Sequence, residues 1–156
     1  VYGARVSTAP AELARFLEAQ DKRATYEQAL SELQAGHKAS HWMWFVFPQI
    51  VGLGQSAMSR RYAIASLYEA EAYLRHPILG PRLIECTRAL LELQGLSAEQ
   101  ILGTIDAVKL RSSMTLFAQA DPCNALFTQA LEHYFGGRMD AATLRRLAEL
   151  AQEADH

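Results

Sequence analysis

A few polar residues of this chain sit where their types and spacing could do chemistry. Lys38 and His41 are three apart, immediately ahead of an aromatic run. Lys109, Ser112 and Ser113 lie within five positions much later. An ammonium brings a positive charge and three donors, and a neutral imidazole can accept, donate or act as general base. Two ammoniums and an imidazole brought together would suit a small anion. Lysine is otherwise scarce: the chain has twelve arginines and only Lys22, Lys38 and Lys109. Either arginine usage follows base composition, or a compact ammonium is required where a planar guanidinium would not substitute.

The aromatic run is Ser40 to Gln49, with Trp42, Trp44, Phe45 and Phe47 in six positions. Ser40 is expected to cap a short helix from His41 to about Phe47, stopped by Pro48. On such a helix Trp42 and Phe45 share one face and Trp44 and Phe47 another, which leaves little room for water. Burying four aromatics is worth about 12 kcal/mol, comparable to a domain's net stability of about 5–15 kcal/mol, so most of the run reads as core. A buried indole N–H needs an acceptor, and Gln49 is the candidate. His41, in the first turn, would be kept neutral by the helix dipole. It could equally be a buried histidine with both nitrogens satisfied.

Gly52-Leu53-Gly54-Gln55-Ser56 follows. Its N–H groups and hydroxyl could hold an anion, or the glycines could serve a tight turn. Asp106, Lys109 and Ser113 share a helix stripe at i, i+3, i+7, with Ser112 beside them. Such a face could bind phosphate or carboxylate. The order Lys-x-x-Ser is the reverse of the Ser-x-x-Lys of acyl enzymes, so no dyad follows from it. The alternative is an Asp106–Lys109 pair worth about 0.3 kcal/mol, with serines bonded back to their helix.

The elements that must position these residues are helices. Ala11–Gln20 is entered through Thr8-Ala9-Pro10. Thr25-x-x-Gln28 reads as a capping box for a helix ending at Gly36. Ser56 caps a short helix, Ser66 one that runs to Arg75, and Ser97-x-x-Gln100 another short one. Pro81 opens a helix to Gln94, and Ile105 or Asp106 one to about Ala118. Asp121-Pro122 reads as the start of a helix ending at Gly136-Gly137, and Asp140 as the cap of the last, reaching about Gln152. Leu126, Phe127, Ala130, Leu131 and Tyr134 form a helical stripe, as do Leu144, Leu147, Ala148 and Ala151. Only Trp42 to Val51 could be a strand. A dinucleotide-binding turn with Gly52-x-Gly54 is disfavoured, because Pro48 interrupts the run and no further parallel strands follow. The expected fold is all-α: one helical domain over residues 1–156, a compact bundle of seven to nine helices.

With 156 residues, half of them hydrophobic, a core can be built without metal or disulfide. The formal net charge is −2 and the basic residues are scattered, so no nucleic-acid partner is expected. No apolar run approaches the ~20 residues of a membrane span. The chain opens on Val1 without a signal-peptide pattern, as a trimmed or incomplete start would. Cys86 and Cys123 form no CxxC. His37 and His41 are separated by the break at Gly36, so no metal site is expected, and no cofactor. A cytoplasmic location is expected.

A longer pattern runs through the chain: Phe16-x-x-Ala19-Gln20, Tyr26-x-x-Ala29-Leu30, Gly36-x-Lys38, Ser40 to Gln49, Gly52-Leu53-Gly54-x-Ser56 and Tyr62-Ala63-Ile64. It continues through Glu69-Ala70-x-x-Tyr73-Leu74-x-His76-Pro77-x-Leu79-Gly80-x-Arg82-Leu83, then Asp106-x-x-Lys109-Leu110-x-Ser112-Ser113-Met114-Thr115-Leu116-Phe117. From about residue 11 to residue 147 this resembles the bacterial domain of unknown function 1810 family. The resemblance implies an all-helical fold and no established activity, substrate or cofactor. The calpastatin-like label sometimes attached to that family does not fit a globular composition.

The expected function is binding of a small anionic or nucleotide-like ligand, with hydrolysis as an enzymatic version. Lys38, Ser40, Gln49, Gly52, Gly54, Ser56, Lys109, Ser112 and Ser113 would contact it, Trp42 and Trp44 would wall it, and His41 would be donor or base. The competing expectation is a non-enzymatic protein-interaction module with a broad exposed apolar patch and an architectural motif.

Overall fold

The computed structural model describes the backbone of residues 2–154 and the side chains of residues 12–154. The fold is all-α. Among the described residues seven helices have nine residues or more: α1 (Tyr2–Asp21), α2 (Thr25–Ala35), α5 (Leu67–Arg75), α6 (Leu79–Glu92), α8 (Thr104–Ala120), α9 (Ala125–Phe135) and α10 (Ala141–Ala154). Three are about one turn long: α3 (Met43–Val46), α4 (Ala57–Arg61) and α7 (Ala98–Leu102). The expected helix start at Ala11, entered through Thr8-Ala9-Pro10, is corrected: α1 begins at Tyr2 and runs through those residues.

Helix α8 is the central element. It packs against α5, α7, α9 and α10, and most of its surface is buried, from Ala107 and Leu110 to the run Ser112–Ala118. A helix apolar nearly all round must lie inside. Two of its hydroxyls are accommodated by bonding back along the helix: Ser112 Oγ donates to Val108 O and Thr115 Oγ1 to Arg111 O. Around it, α6 packs on α2, α5 and α9, and α1 on α2, α3 and α5. Phe16, Tyr73, Phe117 and Phe127 stack edge-on or tilted, with centroids 5.2–5.8 Å apart, in one continuous core.

Several helix starts follow the local chemistry. The hydroxyls of Ser56, Ser66 and Ser97 accept from the third residue of α4, α5 and α7, with a full capping box at Ser97 and Gln100. Asp140 Oδ2 accepts from Thr143 N at the head of α10.

Three further expected starts are corrected. Thr25 is not a capping residue. The chain enters α2 from a 3-10 turn, with Arg23 and Ala24 left-handed, and Thr25 Oγ1 donates to Lys22 O instead. Ser40 does not cap α3; its hydroxyl is taken by Glu32, and the helix begins at Met43 with no side-chain cap. Asp121 ends α8, and Asn124 Oδ1 caps α9 by accepting from Leu126 N.

The segment after α3 forms no strand. It makes a single parallel bridge, Ile50 to Ile64, in which Ile64 N donates to Gln49 O and Val51 N to Ile64 O. This closes residues 50–64 into a loop. Arg146 of α10 clamps the loop by donating from Nε to Val51 O at 3.0 Å. Gly52 has φ +98°, which favours glycine, and a Cβ there would come within 2.6 Å of Arg146 Nε and push that side chain aside.

Candidate functional site

The aromatic run divides between core and surface. Trp42, Phe45 and Phe47 are buried, while Trp44 is only partly so. Two side chains that are silent in the sequence hold it in place. Gln20 is buried and donates to Phe45 O at 2.8 Å and to the Tyr73 hydroxyl at 3.1 Å. Its Oε1 accepts from Arg82, which also pairs with Asp21 at 2.8 Å.

The other anchor is Glu32, in the last turn of α2. Gly36 closes that helix in the left-handed conformation, so the chain turns back over Glu32. The carboxylate then collects the loop: Oε1 accepts from Ala39 N, Ser40 N and the Trp42 indole, Oε2 from Ser40 Oγ and Gln28. Burial alone would push its pKa up, but the bonds from Ser40, Gln28, Ala39 and Trp42 outweigh it and hold the group down at about 2. The expected acceptor for the indole, Gln49, is replaced by Glu32 because the chain reversal brings that carboxylate to the ring.

This loop presents Lys38. Its backbone N–H bonds Ile101 O of α7, and its ammonium bonds Ser40 O at 2.6 Å and Asp106 Oδ2 at 3.0 Å. Lys109 Nζ lies 3.2 Å from the other oxygen, Oδ1. One carboxylate thus serves two ammoniums, and the cluster keeps a net positive charge. Both ammoniums also sit over indoles, Lys38 5.1 Å from the Trp42 ring and Lys109 3.8 Å from the Trp44 ring. Such cation–π contacts are worth about 0.5–2 kcal/mol each, more as water is excluded. Each ammonium has three donors, and the bonds named leave donors on both.

Two hollows meet at this cluster. The first, about 290 Å³, is lined by Lys38, His41, Trp42, Trp44, Lys109, Asp106, Met43 and Met58. The second, about 450 Å³, is lined by Trp44, Gln49, Leu53, Gly54, Ile105, Val108, Lys109, Ser112, Asp140 and Ala142. Trp44 and Lys109 belong to both. Gly52 lines only a void of about 10 Å³ with Gln49 and Gly54.

Four of the expected contact residues do not reach these hollows: Gly52, and the three serines Ser40, Ser56 and Ser113. Ser40 is occupied by Glu32 and acts through its carbonyl on Lys38. Ser56 is spent on its cap. Ser113 is wholly buried in α8, and its hydroxyl has no hydrogen-bond partner among the described residues. His41 lies in a bend before Trp42, outside any helix, so no helix dipole acts on it, and its ring has no hydrogen-bond partner among the described residues.

Asp140 is a site residue that the sequence offers only as a cap. Its Oδ2 accepts from Ser112 Oγ, Thr143 N and Thr143 Oγ1, and its backbone N–H donates to Thr115 Oγ1. Glu32 and Gln20 carry little local signal, since apart from Gln28 their partners lie 7–62 positions away. Asp106 was readable as a neighbour of Lys109, but its bond to Lys38 was not.

The fold and these hollows define an all-helical protein with a lysine–carboxylate–lysine cluster set against two indoles. The chain belongs to the family described as protein of unknown function DUF1810, whose model matches residues 10–147. Among solved structures it is similar to the conserved hypothetical protein Rv1873 from Mycobacterium tuberculosis. The two are 51% identical with a TM-score of 0.86, over 89% of this chain and 98% of that one. Comparison with curated proteins gave no match. No helix among the described residues is long and apolar enough to cross a membrane.

Proposed function

We propose that this protein binds a small anionic ligand of nucleotide-like size at the Lys38–Lys109 cluster. The observation that carries the reading is the sharing of Asp106: two largely buried lysine side chains divide one carboxylate, in a hollow walled by Trp42 and Trp44. An anion entering there meets uncompensated positive charge and free N–H donors, in a setting where charge-assisted bonds are strong. The volumes of the two hollows suit a small organic ligand. In a hydrolytic version His41 would take a proton from water. No group orients its ring, so binding is the better supported function.

The test is a thermal-shift series with inorganic phosphate, pyrophosphate, sugar phosphates and nucleotides, repeated on Lys109→Ala and His41→Ala. Stabilisation should follow RT ln(1 + [L]/Kd) in the parent and disappear in Lys109→Ala. Loss in His41→Ala as well would place His41 among the ligand contacts. No shift of the parent by any of these compounds would reject the reading.

One observation favours the alternative, a protein-interaction module. Met58, Ile105 and Val108 are large apolar side chains exposed at 41%, 74% and 60%, and all three line one hollow or the other. If a protein partner covers them, Ile105→Asp and Val108→Asp would abolish its binding while leaving any phosphate shift intact.

A further inference from the structure

Resting on the anion reading above, we infer that the two hollows form one divided site for a nucleoside monophosphate. The phosphate would lie with Lys38 and Lys109 in the first hollow and the base in the second, with Asp140 reading a donor on the base. Three observations support it. Trp44 and Lys109 line both hollows, so a ligand whose charge is held by Lys109 has its organic part beside the Trp44 ring. The second hollow has the composition that a flat heterocycle needs: an indole and the side chains of Ile105 and Val108 for its faces, with Gln49, Ser112 and Asp140 for its edge. Stacking on an aromatic tolerates any base because each has a π-face, so discrimination must come from the polar edge.

The third observation concerns Asp140. The hydrogen bonds to its carboxylate from the described residues all fall on Oδ2. Oδ1 therefore remains an acceptor on a residue that lines the hollow, already fixed in position by its role at the head of α10. An ionised carboxylate can only accept. It suits a ring or exocyclic N–H, and it repels a second phosphate, which sends the ligand's charge toward the lysines. The exposed Ile105 and Val108 side chains are covered in the same event.

The geometry makes Asp140→Asn a clean test. Asparagine caps helices about as well as aspartate, so its amide oxygen can keep the bonds of Oδ2. The amide nitrogen then replaces the free acceptor by a donor. Binding of inorganic phosphate and of the four common nucleoside monophosphates would be measured by calorimetry on the parent, Asp140→Asn and Lys109→Ala. We expect at least one monophosphate to bind the parent about tenfold or more tighter than phosphate, as a charge-assisted bond plus stacking implies. Asp140→Asn should erase that preference or transfer it to another base, while phosphate is still bound, as tightly as before or more tightly because a repelling charge is gone. Lys109→Ala should weaken both probes.

Phosphate binding with no monophosphate preferred, or a preference that survives Asp140→Asn unaltered, would overturn the divided site and leave the anion reading standing. Failure of phosphate and monophosphates alike would overturn both.

Discussion

The Glu32 carboxylate accepts the Trp42 indole N–H at 2.8 Å, across a chain reversal of ten residues. That one bond joins α2 to the aromatic run, and the same carboxylate holds Ala39 and Ser40, whose carbonyl fixes Lys38. The charged cluster therefore depends on a side chain that never touches the hollows.

Acid should release it. The folded pKa of Glu32 is about 2, against 4.5 for an unperturbed group. As pH falls below 4.5 the unfolded chain takes up a proton that the folded chain refuses, so stability declines from there to about pH 2, where both forms are protonated. The linked loss is roughly 3 kcal/mol. Urea denaturation between pH 7 and 2 on the parent and Glu32→Gln measures it. The variant should be less stable at pH 7 and lack that part of the acid slope; parallel curves would contradict the assignment.

A smaller effect lies nearer neutrality. His76 Nδ1 accepts from Ile78 N and Leu79 N at the head of α6, and burial lowers its pKa from 6.5. The neutral ring is the folded form, so this contribution is present above pH 6.5 and is lost as pH falls through the folded value. His76→Asn, which retains a capping acceptor, should flatten the stability profile in that window.

Asp106→Asn should leave Lys38 and Lys109 facing each other with no counter-charge. A destabilisation of about 1–3 kcal/mol is expected, below that of a fully buried pair because both ammoniums are partly wet. Combining it with Lys38→Met should restore part of the loss, which a double-mutant cycle by chemical denaturation would report as coupling. Additive effects would mean that Lys38 and Asp106 are not coupled.

Ser112 and Ser113 should respond oppositely. Ser113→Ala removes a buried hydroxyl with no partner among the described residues and should be neutral or stabilise by up to about 1 kcal/mol. Ser112→Ala removes the bond to Asp140 and should cost about 1 kcal/mol. Thermal melts of both variants decide the matter.

Gly52→Ala should cost about 2 kcal/mol or more, through its positive φ and the contact with Arg146. Added to Arg146→Ala, the same change should cost less, since only the backbone term remains.

Much of this was legible from local chemistry. Ser56, Ser66, Ser97 and Asp140 each offered a hydroxyl or carboxylate ahead of a helical stripe, and each caps. Ser40 looked the same, but Glu32, eight positions back, offered its hydroxyl a charged acceptor that a backbone N–H could not match. Lys38, Trp44 and Lys109 stood out by type. The Lys38–Asp106 pair did not, because it spans 68 positions and depends on how α7 and α8 are set against the loop. Asp140 was visible only in its structural role, since nothing local shows that one of its two oxygens goes unused.

Trp44 and Lys109 are a party wall: whatever settles on one side leans on the side chains that bound the other. Tenants of the two chambers should thus sense each other's arrival through a single ring and a single ammonium, with no hinge or domain movement required.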